Sequence, residues 1–280
     1  MEARQRIALL VLICSVPACS VLSGCATLPY AFGVSDQYYT SPQLAAVTEQ
    51  QVERGRPNVV LDTIGWVVGI PNKIVLFNRR IENHNISSGT EAAVCNYLAE
   101  NDLSTVKVRI NQYRPLDDWH RLRANKSVGA GWRYTLGTLS IVGETIIPGR
   151  VFGGDHFNPF SNTVHLYSDV PAIAVHEAAH AKDFAGRYRK GTYAAGYLLP
   201  GAPLYYEAKA TNDALGYLRT RADYATQQEA YNVLYPAYGT YVGNAVSGFV
   251  PFGYFAGVIG GHIAGRWQSS QLDDDLKSEI

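Results

Sequence analysis

A His-Glu-x-x-His motif within residues 168–184 lies in a setting that favours an α-helix. Ser168 or Asp169 is expected to accept hydrogen bonds from the first free amide groups, and Pro171 is tolerated in a first helical turn. Alanine recurs through the stretch, and Gly186 is expected to end the helix. The sequence therefore predicts one helix that carries both histidines of the motif.

His176 and His180 are four residues apart, so they lie on the same face of such a helix. Two neutral imidazoles at this spacing can bind one tetrahedral Zn²⁺ ion. Glu177 projects beside the ion, where it can accept a proton from a zinc-bound water. The motif also arises by chance with packed or solvated histidines, but the helical setting favours one zinc ion per chain.

Composition limits the classes of protein to which this chain can belong. Its 280 residues suffice for one large or two small domains, and a hydrophobic content of 47% suffices for a sizeable core. The 24 basic and 24 acidic residues leave no net charge, so there is no basic field to attract nucleic acid. We therefore expect no nucleic-acid partner.

Residues 1–24 have the features of an export signal: a short charged region, an apolar run at 7–21, and then Leu-Ser-Gly before Cys25. This end resembles the lipobox of bacterial lipoproteins. The resemblance implies cleavage before Cys25, acylation of that residue, and attachment of the mature chain to the cell envelope, facing the periplasm. Ala26 replaces the aspartate that often retains lipoproteins in the inner membrane, which favours the outer membrane. An ordinary signal or a short core helix is the alternative.

Cysteine usage agrees with this interpretation. Cys14 and Cys19 would be removed with the signal and Cys25 would carry lipid, which leaves Cys95 and no internal disulfide. Because Cys95 lies in a helical pattern, it is expected to be a small buried apolar side chain rather than a nucleophile.

The chain between the signal and residue 88 divides into two parts. Residues 25–58 are polar and aromatic, and we expect a tether between the lipid and the folded body. Residues 59–87 contain an apolar run that Asp62, Pro71 and Lys73 interrupt. This segment is expected to pack on the body or on the membrane surface rather than to span a bilayer.

Helices and strands alternate in the prediction for residues 88–168. The predicted elements are a helix at 88–102, a strand at 106–113, a short helix at 115–125, one or two strands within 128–154, and a strand at 163–168. The last of these strands leads directly into the helix with the motif.

This order of elements resembles the N-terminal half of zincin metallopeptidases, and in particular the gluzincin group, over about residues 88–235. The resemblance implies an α+β fold, with a small sheet and an active-site helix followed by a helical C-terminal part. It implies zinc-dependent hydrolysis of a protein or peptide substrate, with His176 and His180 as ligands and Glu177 as general base. The glycine and third histidine that follow this motif in metzincins are missing.

The third zinc ligand of gluzincins is a glutamate on a later helix, and Glu207 is the best match in this chain. Glu207 opens a predicted helix after the breaker Pro-Gly-Ala-Pro at 200–203. Asp183 is an alternative ligand or a neighbour of the ligands, and Glu229 is a further rival. Thr211 stands where many gluzincins have an aspartate that hydrogen-bonds a zinc-bound histidine.

In gluzincins the last strand before the zinc helix borders the cleft and pairs with an extended substrate. By that resemblance, Asn162, His165 and Tyr167 are residues of the cleft edge. His156 lies in the preceding loop and is expected to make a hydrogen bond within the loop rather than to touch substrate.

Residues 236–266 are rich in glycine, and no Asp, Glu, Lys or Arg occurs between 238 and 265. Glycines recur every four residues, a spacing that allows helices to approach closely. Pro251 separates two pieces that are each too short to span a bilayer. We expect a helical hairpin that is either buried in the protein or in contact with the membrane. Residues 267–280 are expected to form an acidic tail.

The same residues are compatible with other functions. One alternative is a zinc-binding lipoprotein whose site is inactive or structural and which acts in envelope assembly. Another is a membrane-scaffolding lipoprotein without a metal. Glu177 argues against the first alternative, because a purely structural site has no use for that carboxylate. The second alternative would require the motif to be accidental.

Overall fold

The computed structural model describes Tyr30 and residues 51–278, and in this part of the chain helices surround one small sheet. The predicted α+β class is confirmed at this level. The predicted signal peptide and Cys25 lie outside the described residues. The strands are β1 (Val52–Arg54), β2 (Lys107–Ile110), β3 (His156–Asn158) and β4 (Thr163–Leu166).

Helices account for most of the remaining described residues. In the first half they are α1 (Val59–Val68), α2 (Ile70–Val75), α3 (Ser88–Glu100), α4 (Pro115–Ala124), α5 (Ala130–Trp132), α6 (Thr138–Ile146) and α7 (Gly149–Phe152). In the second half they are α8 (Pro171–Ala185), α9 (Lys190–Gly196), α10 (Ala202–Arg221), α11 (Tyr224–Ser247) and α12 (Gly253–Ser278).

The sheet has the order β1-β2-β4-β3, in which β3 alone runs antiparallel to its neighbour. The predicted cleft edge was Asn162, His165 and Tyr167, but β4, which carries His165, has a strand on both sides, and β3 is the outer strand. Asn162 and Tyr167 lie just outside the two ends of β4. A tight turn brings β3 onto the edge: the Asn158 side chain accepts a hydrogen bond from the backbone N–H of Phe160 at 2.8 Å.

Two further segments differ from their predictions. The predicted tether, 25–58, contributes Val52–Arg54 to the sheet, where Val52 pairs with Val108. The strands expected within 128–154 are helices instead, since α5 continues through a π-helical turn into α6. Gly137 in that turn allows close packing, because a Cβ there would lie 2.7 Å from the Leu122 side chain.

Helix α8 is central to the body. It packs against α3, α10 and α11, and it also contacts strands β3 and β4 of the sheet. Val175 and Ala178 are fully buried in the main core, so the two histidines of the motif are held on a rigid helix.

Helices α11 and α12 form an antiparallel hairpin that is longer at both ends than the segment predicted for it, 236–266. Its helices touch through glycines: a Cβ on Gly257 would lie 2.4 Å from the backbone oxygen of Gly239. The segment 59–87 contains α1 and α2. Helix α1 packs against α7, and its Val59 and Val60 side chains are exposed. Among the described residues, no helix combines the length and the hydropathy that crossing a membrane requires.

Candidate metal centre

Helix α8 begins and ends near the predicted residues, but its cap differs. Val170 is the N-cap and offers no side-chain hydrogen bond, while Pro171 occupies the first turn and Gly186 ends the helix as predicted. Asp169 was expected to cap α8 and instead accepts a hydrogen bond from the Thr90 hydroxyl at 2.7 Å. It therefore joins the start of α3 to the start of α8.

Three side chains converge where α8 crosses α10. The Nε2 atoms of His176 and His180 lie 3.1 Å apart, and the Glu207 carboxylate is 3.1 Å from the first and 3.4 Å from the second. Two ligands bound tetrahedrally to zinc at about 2.0–2.1 Å are separated by roughly 3.4 Å. These three residues are buried, and their separations fit one small metal ion.

Two hydroxyl groups contact the outer nitrogens of the histidines. Thr211 Oγ1 is 3.4 Å from His176 Nδ1, and the Tyr197 hydroxyl is 3.2 Å from His180 Nδ1. When each Nδ1–H donates to its hydroxyl, the two Nε2 atoms present lone pairs toward Glu207. In that state all three groups are acceptors, and a cation between them would satisfy them; without a cation, a protonated histidine donates to Glu207 instead.

The charge state of Glu207 is consistent with this arrangement. Burial alone would raise its pKa, but the charge and hydrogen bonds of His180 and His176 outweigh burial and hold the pKa well below the usual range. Glu207 is thus an anionic ligand that α10 supplies to the histidines of α8.

Glu177 is buried beside the three converging residues and is not one of them. Burial, together with the negative charge of Glu207, raises its pKa to about 7 against the opposing influence of His176. Glu177 is therefore a carboxylate with increased proton affinity, which is the property that a general base near neutral pH requires.

A cleft of about 290 Å³ opens onto this cluster. Glu177, His180 and Glu207 line one side, and His156 of the edge strand β3 lines another. A larger cavity, about 500 Å³, lies between β1 and Arg150 and contains none of the cluster residues. The smaller cleft is therefore the candidate site for a substrate.

The rival ligands predicted from the sequence have other partners. Asp183 forms ion pairs with Arg187 and Lys209 and lies outside the converging group. Glu229 forms an ion pair with Arg80 at 3.1 Å. Asp183 therefore ties α8 to α10 near the site without supplying a ligand atom to it.

The sequence did not single out two tyrosines of the site. Tyr197 contacts His180 from the turn after α9, and Tyr241 reaches the Glu207 carboxylate from the hairpin helix α11. The chain has 19 tyrosines and no local spacing marks these two, so only the packing of α11 against α8 would have indicated Tyr241.

No family model, curated protein or solved structure matches this chain. The interpretation of the site therefore depends on its own geometry: three buried ligand atoms, a separate buried carboxylate, and an open cleft beside them.

Proposed function

We propose that the chain is a zinc-dependent metallopeptidase of the gluzincin type. The observation that carries this proposal is the convergence of the His176, His180 and Glu207 ligand atoms beside Glu177, at the base of a cleft. Catalytic zinc sites have three protein ligands and one open position, whereas structural zinc sites are closed by four. The described residues supply three ligands here, His176, His180 and Glu207, which is the number typical of a catalytic site.

Two imidazoles and one carboxylate favour zinc over calcium or magnesium, which prefer oxygen ligands. When bound, the ion would supply a Lewis acid that polarises the scissile carbonyl and acidifies water. Thr211 and Tyr197 orient the histidines from outside, and Tyr241 contacts the carboxylate of Glu207.

Glu177 has the role of general base in this proposal. As the oxygen of water adds to the carbonyl carbon of a peptide bond, Glu177 accepts the proton of that water. When the C–N bond breaks, Glu177 passes the proton to the departing amine nitrogen. The products are a carboxylic acid and an amine, so the reaction consumes one water per bond.

The location proposed for this enzyme is the periplasmic side of a bacterial envelope, with outer-membrane attachment through lipid at Cys25. This part of the proposal rests on the resemblance of residues 22–25 to a lipobox. The apolar end of the hairpin, within 238–265, is a second candidate for membrane contact. The proposed substrate is a protein or a peptide.

Hydrolysis of an unfolded protein is the direct test of the proposed activity. The purified protein should cleave casein, a metal chelator should abolish cleavage, and added zinc should restore it, with new chain ends identified by mass spectrometry. Glu177→Gln should be inactive under all three conditions. Tightly bound zinc without hydrolysis of casein or a diverse peptide library would instead support the alternative of an inactive site in envelope assembly.

A further inference from the structure

A second group of ligand-type side chains lies at the β3–β4 pair, outside the cluster described above. His156 and His165 are direct partners across the two antiparallel strands, and their rings stack with centroids 4.6 Å apart. Glu144 approaches from α6 and places Oε1 3.2 Å from His156 Nε2. One ligand atom from each of the three residues lies within 4.8 Å of the other two.

Two buried atoms in this group have no hydrogen-bond partner among the residues that the structure describes. They are Nε2 of His165, on a residue that is 5% exposed, and Oε2 of Glu144. Leaving a buried polar atom unsatisfied costs about 1–3 kcal/mol, and more for a charged group. A simple ion pair between Glu144 and His156 uses only Oε1 and leaves both of these atoms without a partner.

Neighbouring groups orient two of the three side chains. Nδ1 of His156 donates to the backbone oxygen of Gly154 at 3.0 Å, so that Nε2 is the nitrogen that faces Glu144. The Asn158 side-chain amide donates to Oε1 of Glu144 at 2.6 Å and fixes the carboxylate. Such contacts from outside hold ligand side chains in place around bound metal ions.

The space at these side chains suits a single small species. Glu144, His156 and His165 are among the residues that line a cavity of about 10 Å³, which has room for roughly one water or ion and excludes an organic ligand. A divalent cation would bind the unpartnered atoms of Glu144 and His165, and it would take the place of the proton on Nε2 of His156.

From these observations we infer a second metal site, formed by Glu144, His156 and His165, for a divalent first-row transition ion such as Zn²⁺. Two imidazoles with one carboxylate are the ligands that such ions prefer. Because His156 also lines the cleft, the ion would hold the edge strand β3 against α6 and so stabilise one side of the cleft. This inference does not depend on peptidase activity.

The test is the number of zinc ions bound per chain, measured by equilibrium dialysis against zinc alone and by elemental analysis. The wild-type protein should bind two, while Glu144→Gln and His165→Gln should each bind one. Glu207→Gln should also bind one, because it affects only the first site, and Glu144→Gln combined with Glu207→Gln should bind none. His120→Gln, which changes an exposed histidine, is the control and should bind two.

Circular dichroism would verify that each variant is folded. A wild-type protein that saturates at one zinc ion would overturn the inference without any variant, and the first site would remain. Two ions in both Glu144→Gln and His165→Gln would overturn the assignment of ligands. If Glu207→Gln is the only one of the three single variants that loses an ion, the result would support the first site and exclude the second.

Discussion

Thr211 is a residue at which this chain departs from the gluzincin pattern. Many gluzincins have an aspartate there, whereas here a neutral hydroxyl lies 3.4 Å from Nδ1 of His176. A hydroxyl can accept the Nδ1–H hydrogen bond, but it does so without the charge that makes a carboxylate a stronger partner. The contact orients His176 and is longer than the 3.2 Å contact between Tyr197 and His180.

Replacing Thr211 with Val should lower zinc affinity about 10-fold, because Val keeps the shape and removes the acceptor that orients His176. Thr211→Ser retains the hydroxyl and should keep the affinity within a few-fold of wild type. Competition with a chromogenic chelator measures both values. Equal affinities for the Val and Ser variants would show that this hydroxyl does not orient the ligand.

At the scale of elements, the site depends on the contact between the glycine-rich hairpin and the rest of the body. Gly239 and Gly257 let α11 and α12 meet backbone to backbone, and Tyr241 on α11 reaches the carboxylate of Glu207. The exposed apolar end of the hairpin includes Phe249 and Phe252, which are 83% and 81% exposed. One hairpin therefore supplies both a site residue and an apolar surface.

Gly257→Ala should destabilise the protein by about 1–3 kcal/mol, because the new Cβ would overlap the backbone of α11. Gly260→Ala is the matched control, since no neighbour in the described part of the chain lies within 4 Å of a Cβ at that position. The control should be neutral or more stable by up to about 1 kcal/mol, from helix propensity alone. Urea unfolding gives both free energies, and equal effects of the two substitutions would contradict the close contact.

Patterns within short stretches of sequence predicted some helices and strands correctly. The strand at 163–168 and the short helix at 115–125 are close to β4 and α4 in the structure. The stretch 128–154 is rich in glycine and apolar residues, which predicts one or two strands, whereas the structure forms helices there. Gly137 in fact lets the π-helical turn pack on Leu122, a contact between distant residues that no local pattern reveals.

The same distinction applies to the site. His176, Glu177 and His180 follow from spacing on one helix, and Glu207 follows from the resemblance to gluzincins. The edge of the cleft was assigned to β4 because the short strand β3, with its turn at Asn158, was not predicted. Contacts from separate elements, such as those of Tyr241, depend on the tertiary fold.

For the whole molecule, the proposal to test is attachment to a bacterial envelope through lipid at Cys25. Cys25→Ser removes the proposed site of acylation and should move the protein from the membrane fraction to the soluble fraction, with lipoprotein-type processing blocked. Fractionation of a Gram-negative host and metabolic labelling with a fatty acid measure the two effects. A Cys25→Ser protein that remains in the membrane fraction would assign anchoring to the hairpin.

Zinc occupancy and peptide hydrolysis, measured side by side for the wild type, Glu177→Gln and Glu207→Gln, test the central claim most directly. Glu177→Gln should keep the zinc content of the wild type and lose at least about 100-fold in hydrolysis, because it removes the base alone. Glu207→Gln should bind one zinc ion fewer and regain part of its activity in excess zinc, because it removes a ligand. Wild-type hydrolysis by Glu177→Gln, or full zinc content in Glu207→Gln, would contradict the account.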